Sequence, residues 1–146
     1  MRALLPSLWL LACTNSAPDE GGGGYGLESI GAATDLADPL FSPDTLPEFQ
    51  LELSEESLQA LRDEPYTYVE GVLIYGDERV ERVGIRTKGN KSWQPIDDKP
   101  SLKVKLNWAV PGQRFRGLEE LTFNAMNDDH AMMHERVGYA LYREAG

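Results

Sequence analysis

The chain has 146 residues, of which 41% are hydrophobic and 26% charged, a composition typical of one modest globular domain that excludes disorder throughout. It contains one cysteine, which excludes an intramolecular disulfide and a metal site built from several cysteines. The formal net charge of −10 makes nucleic acid an unsuitable partner, because most of the surface would repel a long polyanion.

Residues 1–12 indicate an export signal. Met1 and Arg2 supply a minimal positive start, residues 3–12 are almost wholly apolar, and Cys13 follows directly. The apolar run is too short to span a bilayer as a helix. It resembles a bacterial lipoprotein signal peptide, which implies cleavage before Cys13, lipidation of that residue and anchoring of the protein in the cell envelope. The alternatives are an ordinary secretory leader and a start codon set too early.

Residues 13–46 have the composition of a flexible linker. They contain a run of four glycines at 21–24, three prolines and no Lys or Arg. Such a segment buries too little apolar surface to offset the entropy lost on ordering. We expect a tether that holds a domain of residues 47–146 away from a membrane.

The predicted domain begins with a strand and a helix. Apolar residues alternate with polar ones over residues 49–53, which favours a strand, and Ser54 is a typical helix N-cap. Leu58 and Leu61 have the spacing of a buried helix face, and Pro65 ends the helix.

Three further strands are predicted next. Two β-rich runs, residues 68–75 and 79–88, are joined by Gly76-Asp77, which favours a hairpin, and Gly71 indicates a bulge. A third run covers residues 102–108. In the second and third runs, the period of two sends apolar side chains to one face and cations to the other. The cations of this predicted face are Arg86, Lys88, Lys103 and Lys105.

Charge is segregated along the chain. Residues 79–116 hold ten of the fourteen Lys and Arg residues but three of the twenty-four acids. An acidic protein with its cations concentrated in one segment is suited to a compact anion, such as the phosphates of a nucleotide. The polar loop of residues 89–101 adds the donors Asn90 and Ser92. Trp93 in this loop is expected to anchor it to the core, with stacking on adenine as the alternative, and Trp108 is expected in the core.

The last predicted elements are a strand over residues 121–125 and a helix with Asp129 as its N-cap. Met133, Val137, Ala140 and Leu141 have the spacing of a stripe that faces a core. The glycine at position 146 follows this helix directly, so we expect a truncated domain.

His130 and His134 lack the order of a zinc motif, and no metal ligand is predicted in this chain.

The order of these features resembles the amino-terminal half of the CotH family, the spore coat protein H kinases, over about 100 residues. The residues that carry the resemblance are Leu46-Pro47, the Ser-capped helix, Tyr68-Val69, Val83-Gly84-Ile85-Arg86, Lys88-Gly89-Asn90, Lys99-Pro100, Lys103-Val104-Lys105-Leu106, residues 124–127 and Glu144-Ala145-Gly146. Two positions depart from the family pattern: Lys91 stands where relatives tend to have a small hydroxyl residue, and His134 stands where they tend to have an arginine.

The resemblance implies an α+β fold: a mostly antiparallel sheet with flanking helices, similar to the amino-terminal lobe of a protein kinase and truncated here. It implies binding of ATP with a divalent metal such as magnesium, and phosphorylation of secreted or surface proteins. The family's catalytic and metal-binding aspartates are expected in a carboxy-terminal lobe absent from this chain. The candidate phosphate-binding residues are Arg86, Lys88, Asn90, Ser92, Lys103 and Lys105. The alternative is a non-catalytic, lipid-anchored surface module for binding or coat interaction.

Overall fold

A computed structural model describes residues 2–4, 11–12, 36–42, 45–131 and 133–145. Its central feature is an antiparallel sheet with strand order β1-β3-β4-β5-β6-β7-β2. The strands are β1 (Arg2–Leu4), β2 (Leu11–Ala12), β3 (Gln50–Ser54), β4 (Val69–Tyr75), β5 (Glu78–Lys88), β6 (Ser101–Lys105) and β7 (Glu120–Asn124). The helices are a 3₁₀ turn at Asp38–Phe41, α1 (Glu55–Asp63) and α2 (His134–Ala145). The predicted α+β class, with a mostly antiparallel sheet, is confirmed.

The predicted leader contributes the two outermost strands. β1 pairs with β3 and β2 pairs with β7, so both lie at edges of the sheet. Removal of residues 1–12 would leave the five consecutive strands β3 to β7. The proposed cleavage stays a prediction, and Cys13 lies outside the described residues.

The hairpin of β4 and β5 has the predicted turn and bulge. Gly76 has a φ of +57°, a conformation that glycine adopts without the strain of a side chain. The register between the strands shifts between Gly71 and Leu73. A Cβ on Gly71 would lie 2.5 Å from Ile85 Cδ1 and 3.0 Å from the Glu52 carbonyl oxygen, so a larger residue would require the Ile85 side chain to move and would crowd the β3 backbone.

The core lies on one face of the sheet. Alternate residues of every central strand point to that face, as the period of two predicts. Phe49, Tyr75, Phe115 and Phe123 form an aromatic cluster there, with the rings of Phe49 and Phe123 5.3 Å apart. The α1 helix covers part of this face with Leu58 and Leu61. The Ser54 side chain caps α1 by accepting from Ser57 N at 3.1 Å, as expected of an N-cap.

Part of the predicted linker belongs to the packed region. Leu40, on the 3₁₀ turn, is buried in the main hydrophobic cluster, and Ala37 is buried beside it. Pro39 at the start of the turn has the fixed φ that such a turn requires. The linker composition predicts that the packed part of the protein begins at residue 47, but it begins earlier, with the 3₁₀ turn.

The prediction for α2 is wrong in one respect. The helix exists, but its apolar stripe is exposed: Met133, Val137 and Ala140 are open to solvent, and Leu141 is 65% exposed. Helical spacing shows that a face is apolar without showing what covers it. Asp129 accepts from Ala131 N and His134 N, so it caps the turn before the helix, which begins at His134.

Candidate functional site

The four predicted cations lie on the same face of the sheet, opposite the core. In the β5–β6 register, Arg86 faces Lys103 directly and Gly84 faces Lys105, and directly opposed residues of antiparallel strands share a face. Lys88, two residues beyond Arg86, lies on that face as well. The predicted placement is confirmed. We call Arg86, Lys88, Lys103 and Lys105 the cationic face.

Two of these cations form a like-charge pair across the strands, which by itself is destabilising. The structure compensates each partner separately. The Arg86 guanidinium carbon lies 5.2 Å from the centre of the Tyr68 ring, in cation–π geometry, and Arg86 donates to the Thr87 carbonyl at 3.1 Å. Lys103 Nζ lies 2.8 Å from Glu120 Oε1 on β7. An incoming anion would therefore compete with Glu120 for Lys103.

Lys105 differs from Lys103 in having no ion pair among the described residues. Lys105 is exposed and faces Glu120 in the β6–β7 register, but the described residues include no ion-pair partner for its ammonium group. Of the four cations, Lys103 is the one with a carboxylate contact among the described residues.

Lys88 links the sheet to α2 through a polar chain. Lys88 Nζ donates to Asn124 Oδ1 at 2.6 Å, and Asn124 Nδ2 donates to both carboxylate oxygens of Glu135, at 2.8 and 2.9 Å. The Asn124 amide therefore bridges the Lys88 ammonium group and the Glu135 carboxylate, which do not contact each other directly. Burial lowers the pKa of the Lys88 ammonium, Lys103 and Arg86 lower it further, and Glu135 opposes the shift.

This shift predicts a pH dependence of stability. Between the folded-state pKa of Lys88 and its ordinary value of 10.5, the unfolded chain binds more protons than the folded one. The free energy of unfolding therefore rises with pH across that window. Urea unfolding of the wild type and of Lys88→Met at stepped pH should show the difference between them growing in favour of the wild type as the pH approaches 10.5. Parallel curves would contradict the assignment.

The polar loop after β5 is fixed to the core by side chains. Trp93 Nε1 donates to Thr87 Oγ1 at 3.1 Å, and that hydroxyl donates to the Pro65 carbonyl at 2.7 Å. The Tyr66 hydroxyl donates to the Gly89 carbonyl at 3.1 Å. The anchoring role predicted for Trp93 is confirmed.

The two loop donors are placed less favourably than expected. Asn90 is exposed, and Ser92 is half-buried with its carbonyl accepting from Asn127 Nδ2 at 3.4 Å. Asn127 also donates to the Lys99 carbonyl, which holds the loop against the turn after β7. Among the described residues, neither the Asn90 nor the Ser92 side chain bonds to the cationic face.

Trp108 contradicts the expectation of a core residue. Its side chain is 39% exposed and packs on Gly84, on the same face as the cations. A glycine inside a strand is a signal of close approach, so Gly84 was the available clue. Sequence reasoning also missed Tyr68, Glu120, Asn124 and Glu135, because their partners lie on other strands or on α2.

No model of a known protein family, no curated protein and no solved structure matches this chain. Among the described residues, no three His, Cys, Asp or Glu side chains are grouped so that they could hold a metal ion. The described helices include none that is both long and apolar enough to cross a membrane.

Proposed function

We propose that this protein is the nucleotide-binding half of a CotH-like atypical protein kinase, which would transfer phosphate from ATP to Ser or Thr of secreted or surface proteins. The observation that carries the proposal is the cationic face, where Arg86 lies directly opposite Lys103. Placing two cations in register is unfavourable for stability alone and favourable for holding phosphate.

A second observation supports a kinase-like lobe. Protein kinases pair a strand lysine with a glutamate on a neighbouring helix, and the pairing positions the lysine toward the phosphates. Here Lys88 on β5 connects to Glu135 on α2 through Asn124. What resembles a kinase is that a lysine on a strand is connected to a glutamate on a helix. The difference is that the Asn124 amide lies between the two charges here.

The described residues fit the phosphates of ATP but not its metal. The cations supply charge-assisted donors for phosphate oxygens. As the resemblance implies, the metal ligands and catalytic aspartates would belong to a carboxy-terminal lobe. We assign no catalytic residue to this chain. The ATP phosphates would be held by Arg86, Lys88, Lys103 and Lys105, with Asn90 and Ser92 as further candidates.

The proposed location is the bacterial cell envelope, with the protein held by a lipid on Cys13. The glycine-rich segment at 21–24 would let the domain reach secreted or surface proteins. The acidic remainder of the chain would repel nucleic acid.

A second candidate function is favoured by α2. Leu141 and Tyr142 on this helix are 65% and 80% exposed, and exposed large apolar side chains are typical of a surface that contacts another protein. The protein would then be a non-catalytic, lipid-anchored module for binding or coat assembly. In the first proposal, the same side chains would contact a carboxy-terminal lobe.

Thermal unfolding with and without magnesium and ATP tests the nucleotide site. Ligand at about 100 times its dissociation constant adds roughly 2.7 kcal/mol to the free energy of unfolding, so the melting temperature should rise by several degrees. Arg86→Ala combined with Lys88→Ala should reduce ATP affinity by about a hundredfold or more, since each removes a charged donor, and most of this rise should disappear.

Lys99→Ala combined with Arg114→Ala is the matched control, because it removes two exposed cations that lie outside the cationic face. The control should keep the full thermal shift. Equal protection of both double variants would remove the phosphate site from this face. A wild type that shows no shift with ATP would favour the non-catalytic module.

A further inference from the structure

We infer that Trp108 and Gly84 together form a seat for the base of the nucleotide, at one end of the cationic face. The inference rests on the proposed nucleotide site and adds a residue that would distinguish a nucleotide from other phosphate compounds.

The indole lies directly on the backbone of β5. A Cβ added to Gly84 would come within 2.5 Å of Trp108 Cγ and 2.7 Å of Trp108 Cβ. Any side chain at position 84 would therefore displace the ring from this position. Because Trp108 remains 39% exposed while it covers Gly84, it presents aromatic surface to solvent on a face that is otherwise largely polar.

The seat and the cations follow one another along the strand. Gly84 is directly opposite Lys105, and Arg86 and Lys88 follow on the same face. At about 3.4 Å per residue, Gly84 and Lys88 are separated by roughly 14 Å. A nucleotide with its base on Trp108 would place its sugar and first phosphate beside Lys105 and Arg86, and its remaining phosphates toward Lys103 and Lys88. This linear order of an aromatic surface followed by positive charges matches the order of base, sugar and phosphates.

Trp93 is a poorer candidate for the same role. Its indole N–H is engaged with the Thr87 hydroxyl, and the residue is half-buried as an anchor of the polar loop. Charge alone would bind inorganic polyphosphate as readily as a nucleotide of equal charge. Base stacking on an aromatic side chain distinguishes the two ligands, and truncation of such a side chain weakens binding by about 5- to 150-fold per base.

Calorimetric titration of the full chain with ATP and with tripolyphosphate, both with magnesium, tests the inference. The wild type should bind ATP about tenfold more tightly than tripolyphosphate, which corresponds to the lower part of the stacking range. Trp108→Leu should lose that preference by weakening ATP about tenfold, while its affinity for tripolyphosphate stays unchanged.

Gly84→Ala provides a second variant that leaves the tryptophan in the chain. Its new methyl group would push the indole away, so ATP should again weaken and tripolyphosphate should not. Gly138→Ala is the matched control, because an added Cβ there meets nothing within 4 Å and its φ is not positive. It should keep the wild-type preference for ATP.

The outcomes separate this inference from the proposal on which it rests. A wild type that binds both ligands equally, or a Trp108→Leu protein that keeps its preference for ATP, would overturn the base seat while leaving the phosphate site intact. The wild-type comparison holds even if a variant fails to fold. Failure of the wild type to bind either ligand would overturn the nucleotide site itself, and the base seat with it.

Discussion

Replacing Thr87 by valine is expected to lower the free energy of unfolding by about 2 to 3 kcal/mol, although the two side chains have nearly the same shape. Thr87 is fully buried, and its hydroxyl both donates to the Pro65 carbonyl and accepts from Trp93 Nε1. Valine removes both bonds and leaves the indole N–H without its acceptor. The Pro65 carbonyl keeps the backbone bond from Thr87 N, which limits the loss.

The loss should be visible in two measurements. Urea unfolding gives the free energy, and limited proteolysis should show faster cleavage within residues 89–100, because Trp93 no longer anchors the loop. Thr67→Val is the control, since Thr67 is exposed on the surface between α1 and β4. It should change stability by less than about 0.5 kcal/mol. A Thr87→Val protein as stable as this control would show that the hydroxyl does not hold the loop.

The strands and the cationic face could be predicted because both depend on local pattern. Alternation fixes which side chains share a face, and the turn at Gly76-Asp77 fixes the hairpin. The β5–β6 register then places Arg86 opposite Lys103, as two facing amphipathic strands require. The capped α1 helix followed from Ser54 and Pro65 for the same reason, since its start and stop are encoded within a few residues.

The contacts that modify the site could not be predicted in this way. The ion pair of Lys103 with Glu120 joins strands whose residues are far apart in sequence, and alternation does not show which residue of β7 will lie nearby. Trp108 was misplaced because hydrophobic character favours burial, while its position depends on the missing side chain of Gly84. The prediction that the apolar stripe of α2 faces a core was wrong, because the spacing of apolar residues does not show what covers them.

These unpredicted contacts change how the cationic face would work. Lys103 is compensated by a carboxylate and Lys88 is engaged with Asn124, whereas Arg86 and Lys105 have no carboxylate contact among the described residues. A phosphate ligand would meet Arg86 and Lys105 first. Binding to Lys103 would then require its exchange from Glu120 to the ligand, so the negative charge of Glu120 opposes phosphate binding and favours release.

Replacing Asn124 by leucine is expected to cost about 2 to 3 kcal/mol in the free energy of unfolding and to loosen α2. Asn124 accepts from Lys88 and donates to Glu135, so its loss removes hydrogen bonds to two charged groups at once. Leucine would leave the half-buried ammonium group facing an apolar side chain. The pKa of Lys88, already lowered by burial, should fall further. Hydrogen exchange should show faster exchange of the α2 amides than in the wild type.

Glu135→Gln is the comparison that separates the hydrogen bond from the charge. Glutamine keeps an acceptor for Asn124 Nδ2 but removes the carboxylate that raises the pKa of Lys88. It should therefore lower the pKa of Lys88 while preserving most of the exchange protection of α2. If Asn124→Leu and Glu135→Gln exchanged at the same rate as the wild type, α2 would be held by contacts other than this polar chain. The hydrogen bonds of Asn124 also connect Lys88 to α2. Asn124→Leu breaks this connection and Glu135→Gln keeps it, so ATP binding should weaken more in Asn124→Leu.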